Sequence, residues 1–225
     1  MPDPTSIPDP PAAPRPAKRP RMRPRSLAEA GLAGEPVEVY KQDARSRVWR
    51  VELATLGPVV VKRFEYTPSR QRVSLIVGTH PGQHELKRNR QLAAAGVPVV
   101  PILDAGEERA GLGGRAWLAT PLIGTSMQRA ITDPATTASQ LELLIDQAAT
   151  LTRQLLDAGY TFKDLKPSNI VLDDAGQMHL IDVGCAKPDT SKKQTTRMLA
   201  VMDRVLKRDG LDRELRERYR KKVNA

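Results

Sequence analysis

Apolar and polar positions recur at strand-like spacing in three consecutive stretches of the first half: VEVYKQ at 37–42, RVWRVELA at 47–54 and PVVVKRF at 58–64. Such spacing predicts strands, and Gly57-Pro58 supplies the turn between the last two, so an antiparallel meander is expected. The stretch 66–80 is polar and basic and shows no clear period. GQHELKRNRQLAAAG at 82–96 changes to helix formers, with Leu86 and Leu92 or Ala93 on one face and Gly96 as the stop. Two further strands are predicted from VPVVPILDAGEE at 97–108 and RAWLATPLI at 115–123, with 109–114 as the loop between them.

The second half reads as mostly helical. Asp133 and Pro134 predict an N-cap and first turn, after which Leu144, Ala148, Leu151 and Leu155 keep helical spacing up to Gly159. Two short apolar runs, 169–172 and 178–181, then flank Asp173, Asp174, Ala175 and Gly176, the signature of a small hairpin. Two amphipathic helices close the chain, one with Leu199, Met202 and Leu206 ended by Gly210, the other with Leu211, Leu215 and Tyr219 and many i,i+4 charge pairs.

The hairpin raises the chemical question. Asp164, Lys166 and Asn169 stand just before it, and Asp182, Val183 and Gly184 just after it. A hairpin brings its two ends together, so acid, amine, amide and second acid converge around something charged.

Charge and composition narrow what that is. The 225 residues suffice for one good-sized domain or two small parts sharing a cleft, and 40% hydrophobic content allows a packed core. A net charge of +10 points to an anionic partner: nucleotide phosphates, nucleic acid or an anionic membrane face. Aromatic residues at 4% argue against a stacking platform for single-stranded nucleic acid. Residues 1–26 mix Pro with Arg and Lys without periodicity, which reads as a disordered basic tail rather than a secretory signal, and able to meet an anionic leaflet. No run reaches the length of a membrane span, and the single Cys185 fits a reducing compartment, so a cytoplasmic location, peripheral to the membrane at most, is expected.

DLKPSN at 164–169 followed by LIDVG at 180–184 closely resembles the catalytic loop and metal-binding Asp-x-Gly of the protein-kinase-like fold. The resemblance implies that Asp164 is the catalytic base, that Asn169 and Asp182 hold magnesium, and that Lys166 neutralises charge on the transferring phosphoryl group. It further implies that Lys62, ending VVVK, positions the phosphates of ATP, with Glu85 as its ion-pair partner. WLATPLIG at 117–124 then falls where that fold places its hinge, so that Thr120 lines the adenine pocket and the backbone of Pro121 and Ile123 bonds the adenine edge.

Within the superfamily, HELKRNRQLAAAGVPVVPIL at 84–103 is similar to the bacterial lipopolysaccharide kinase family, the inner-core heptose and Kdo kinases. Only some forty residues follow Gly184 and no Ala-Pro-Glu segment is present, as in that family. The implied fold is α+β and two-lobed: residues 27–121 as an N-lobe with a five-stranded antiparallel sheet, 122–225 as a short, mostly helical C-lobe. The implied acceptor is a sugar hydroxyl of an anionic glycolipid.

Phe162 and Lys163 replace the usual His-Arg, Val183 replaces the usual Phe, and KQDARSRV at 41–48 stands where a Gly-rich loop is usual. Arg45 or Arg47 is therefore the expected cover for the phosphates. The rival readings are a protein Ser/Thr kinase, because DLKPSN is typical of that group, and a nucleotide-binding module without turnover. Cys185 reads as a small buried residue, His179 as a packed or half-exposed strand position, and His80 and His84 lack companions for a metal site. A nucleic-acid partner ranks last, having charge but no motif.

Overall fold

The computed structural model describes residues 23–24, 26–64, 81–110 and 113–225. The architecture is α+β, a twisted sheet on one side and a helical body on the other. β2 (Glu38–Gln42), β3 (Ser46–Leu53) and β4 (Gly57–Phe64) form the meander, and β5 (Asp104–Ala110) and β6 (Gly113–Pro121) complete five antiparallel strands. β1 (Arg23–Pro24) adds a parallel edge strand on β5, giving the order β1-β5-β6-β4-β3-β2. Most of the stretch expected to be a tail, 1–22 and 25, lies outside the described residues, as does 66–80.

Strand alternation gives the sheet two unlike faces. Trp49, Val51, Val59, Val61, Trp117 and Ala119 point to the back, where Leu27 and Leu32 of the preceding segment seal them from water. On the front, Leu118 and Ala116 pack with Leu86 of α1 (Pro81–Ala94). Asn89, buried on the same helix, donates its amide to the Val100 carbonyl at 2.8 Å. That bond fixes the helix against the segment leading into β5.

This segment corrects the sequence reading: 97–103 is not a strand of the sheet. Val99 instead makes a parallel bridge to Leu180, Val100 N–H donates to Leu180, and Leu180 N–H donates to Pro98, both at 3.0 Å. Pro98 and Pro101 have no N–H to offer a ladder, so the stretch serves as a tie between α1 and the helical body.

β7 (Gly124–Ser126) and α2 (Met127–Thr132) lead to α3 (Ala138–Asp157). The α3 start differs from the sequence expectation. Thr137, not Asp133, is its N-cap, in a capping box: Gln140 N–H donates to the Thr137 hydroxyl oxygen at 3.3 Å and Thr137 N–H to Gln140 Oε1 at 2.7 Å. Asp133 ends α2 and accepts from Ala135 N–H at 2.9 Å, the local turn bond that also suits an Asp-Pro pair.

α3 buries Leu144, Ala148, Leu151 and Leu155 at the centre of the larger core. Around it pack β8 (Thr161–Phe162), the hairpin β9 (Ile170–Asp173) and β10 (Met178–Leu180), β11 (Ala186–Lys187), α4 (Lys192–Arg208) and α5 (Arg213–Asn224). Tyr219 of α5 is fully buried and shares a 2.8 Å hydrogen bond with Thr152. No helix among the described residues is long and apolar enough to cross a membrane.

Candidate active site

Lys62 sits on β4 in register with Val48 on one side and Leu118 on the other, so all three share the front face. Its ammonium donates to Glu85 Oε2 of α1 at 2.8 Å and to Asp182 Oδ1 at 2.7 Å. Three elements far apart in sequence thus meet at one nitrogen. Burial by itself would push the Lys62 amine down; the two carboxylates outweigh it and hold it protonated above the ordinary lysine range. Burial pushes the Glu85 carboxyl the other way, up to about 7, against the pull of Lys62.

Backbone geometry delivers Asp182 to this point. Among the described residues it alone, other than glycine, has positive φ, at 57°, a conformation that Asp tolerates better than most. A short 3-10 turn, Val183–Cys185, follows and packs on α1. A Cβ on Gly184 would stand 3.4 Å from the Cβ of Glu85, at the near edge of ordinary van der Waals contact. The helix that carries Glu85 thus lies directly on the turn that carries Asp182.

The residues of the Asp164–Asn169 loop stand on the other side of the hairpin. Asn169, buried at the end of a 3-10 turn (Pro167–Asn169), donates its amide to the Asp164 carbonyl at 2.9 Å and to Asp164 Oδ2 at 3.2 Å. Lys166 Nζ reaches the same Oδ2 at 2.8 Å. Half of the Asp164 side chain remains exposed, so a substrate can reach it. Ile181 N–H donates to the Asn169 carbonyl at 3.0 Å, which sets Asp182 one residue along from Asn169's backbone. The two ends of the hairpin do converge.

Between sheet and helical body opens a cleft of about 530 Å³, within the range of small-molecule sites, roughly 300–1,000 Å³. Val48, Val60 and Leu118 make an apolar roof; Lys62, Glu85 and Asp182 sit at one end; Thr120, Pro121 and Ile123 line it where the chain crosses from sheet to helices. Gly124 follows, at φ 148°, where a Cβ would lie 1.9 Å from the Leu172 carbonyl oxygen. Only glycine lets that crossing strand pair with β9.

Neither arginine expected over the phosphates is among the residues that line the cleft. Arg47 is on the back face, its guanidinium 5.2 Å from the Trp49 ring, because residues 47, 49 and 51 alternate away from the cleft. Arg45 is exposed in a tight turn that Asp43 closes, accepting from the N–H of Arg45 and of Ser46, both at 2.8 Å. The backbone N–H of Arg45, with that of Ser46, holds the Asp43 carboxyl down, to about 2. Arg50 lines the cleft instead, beside Glu38 and Tyr40 of β2. Strand parity from Lys62 through the β3–β4 pairing, Val48 with Lys62 and Arg50 with Val60, puts Arg50 on that face. Cys185 is exposed rather than buried. His179 is half-buried and bonds Asp173 at 3.0 Å, His84 is exposed, and His80 lies outside the described residues.

Residues 58–221 match the sequence profile of the lipopolysaccharide kinase (Kdo/WaaP) family. The chain belongs to that family. It is accordingly a kinase, a transferase of lipopolysaccharide biosynthesis. The matched span includes Lys62, Glu85, the Asp164–Asn169 loop and Asp182, and stops short of β2 and β3. No curated protein matches the chain.

Proposed function

We propose that this lipopolysaccharide kinase transfers the γ-phosphoryl group of ATP to a sugar hydroxyl of the lipopolysaccharide core, in the two-lobed arrangement of protein kinases. The sheet portion, 27–121, acts as one lobe and 122–225 as the other. The observation that carries the reading is the Lys62 ammonium held between Glu85 and Asp182 at the end of an open cleft.

In this reading Glu85 keeps Lys62 extended toward the triphosphate, and Thr120 with the backbone of Pro121 and Ile123 receives the adenine edge. A proline suits position 121 because only its carbonyl is used. Asp164, aligned by Asn169 and Lys166, accepts the proton of the attacking hydroxyl, and the Lys166 ammonium faces the charge that develops on the moving phosphoryl group. The donor set fits magnesium. The Asn169 amide nitrogen is committed to Asp164, which leaves its oxygen to act as a ligand, and Asp182 follows Ile181, whose N–H bonds the Asn169 carbonyl. Two hard oxygens suffice for an ion that keeps waters and takes phosphate oxygens. Magnesium supplies charge neutralisation on the phosphates when bound.

Location at the inner face of the cytoplasmic membrane follows from the acceptor class. The test is transfer from radiolabelled ATP, with magnesium, to a lipopolysaccharide core extract and to a mixture of proteins side by side. Label in the glycolipid is expected. Label in protein alone would replace the reading with that of a Ser/Thr kinase.

A further inference from the structure

α4 presents two opposed stripes. Met198, Met202 and Leu206 are fully buried in the core. On the far side Lys193, Arg197, Arg204 and Lys207 recur at helical spacing, all exposed and none with an ion-pair partner among the described residues. At 1.5 Å per residue the four span about 20 Å along the helix. Asp203, the one acid of the helix, is turned away: it pairs with Arg216 at 3.2 Å and Arg220 at 2.7 Å on α5. The outward stripe therefore carries unneutralised positive charge along its length.

The opposite, buried face of α4 packs against the segment that leads into the Asp164 loop. Phe162 N–H donates to Met198 Sδ at 3.3 Å, two residues before Asp164. β11 pairs with β8, and exposed Lys187 and Lys163 add positive charge beside the catalytic loop. An ordinary solubilising helix mixes both signs, as α5 does with its Arg213–Glu217 pair at 2.6 Å.

We infer that the basic stripe of α4, with Lys163 and Lys187, docks the enzyme on an anionic phospholipid surface, bringing Asp164 to an acceptor embedded there. The choice of a lipid surface over nucleic acid rests on charge without aromatic residues along the stripe and on the glycolipid acceptor of the function proposed above. Electrostatic attraction of this kind needs no inserted apolar group and falls with salt.

The experiment uses the full chain and co-sedimentation with vesicles of phosphatidylglycerol and phosphatidylcholine, against vesicles of phosphatidylcholine alone. The variant carries Lys193→Gln, Arg197→Gln, Arg204→Gln and Lys207→Gln, exposed changes between good helix formers. Wild type should sediment with the anionic vesicles only. At roughly fivefold per charge, the variant should partition on the order of several-hundredfold more weakly. It should still phosphorylate a deacylated, soluble core oligosaccharide at the wild-type rate. Equal sedimentation of variant and wild type, equal binding to both vesicle types, or tighter binding to duplex DNA than to anionic vesicles would each overturn the inference. A wild type that sediments as expected yet does not phosphorylate the oligosaccharide removes the proposed acceptor and leaves the docking surface standing.

Discussion

Replacing Lys62 by Met removes the cation between two carboxylates, and the cost depends on how Glu85 responds. The Glu85 side chain is 12% exposed, against 46% for Asp182, so water can take over for the aspartate but not for the glutamate. Stranding a buried charge costs about 3–5 kcal/mol. Glu85 can escape by binding a proton, at about 1.4 kcal/mol for each pH unit above its ordinary value. With that value at 4.5, the ceiling is about 5 kcal/mol at pH 8 and about 1.4 kcal/mol at pH 5.5. The sign follows from linkage. A carboxyl whose folded pKa is raised binds more protons folded than unfolded, so its stabilising contribution is complete below 4.5 and is lost as pH rises through about 7. Lys62→Met pushes that window higher still. Urea unfolding without nucleotide should therefore show a loss of about 3 kcal/mol at pH 8, or roughly 6–12 °C in melting temperature, shrinking to about 1 kcal/mol at pH 5.5. In a Glu85→Gln background the same change should cost about 1 kcal/mol at either pH, because an amide needs no counter-charge. Additive losses at pH 8, or a coupling independent of pH, would refute the ion-pair reasoning.

Asp164→Asn should lower the transfer rate by about a hundred- to ten-thousandfold while ATP affinity stays within about twofold, read by single-turnover kinetics and nucleotide titration. Gly124→Ala, whose Cβ would lie 1.9 Å from a backbone oxygen at φ 148°, should cost about 3 kcal/mol or more in urea unfolding; a wild-type unfolding curve would contradict the crossing described here. Arg50→Gln should raise the Michaelis constant for ATP several-fold, and Arg47→Gln should leave it within about twofold. The reverse ranking would mean that the back-face position of Arg47 is not the one used in turnover.

Much of the fold was legible because its local signals agree: the meander, the long helix with Leu144 to Leu155, and the hairpin whose turn Asp173 closes by accepting from Ala175 and Gln177 N–H. The misses are tertiary. Residues 97–103 have strand composition, but two prolines and a bridge to Leu180 put them elsewhere. Asp133-Pro134 is a good helix start in isolation, yet it ends α2 while Thr137 and Gln140 cap the next helix. In the site, Lys62, Glu85 and Asp182 could be named one by one, but their meeting at a single nitrogen depends on register between distant strands. The back-face position of Arg47 was not legible for a related reason: one step along a strand exchanges cleft for back face.

Calorimetric titration of ATP, with and without magnesium, into wild type and Asp182→Asn tests the central claim most directly. Binding that requires magnesium in the wild type and weakens at least tenfold in the variant is the predicted result. ATP binding indifferent to both magnesium and Asp182 would contradict a metal-triphosphate site at Lys62, Asn169 and Asp182.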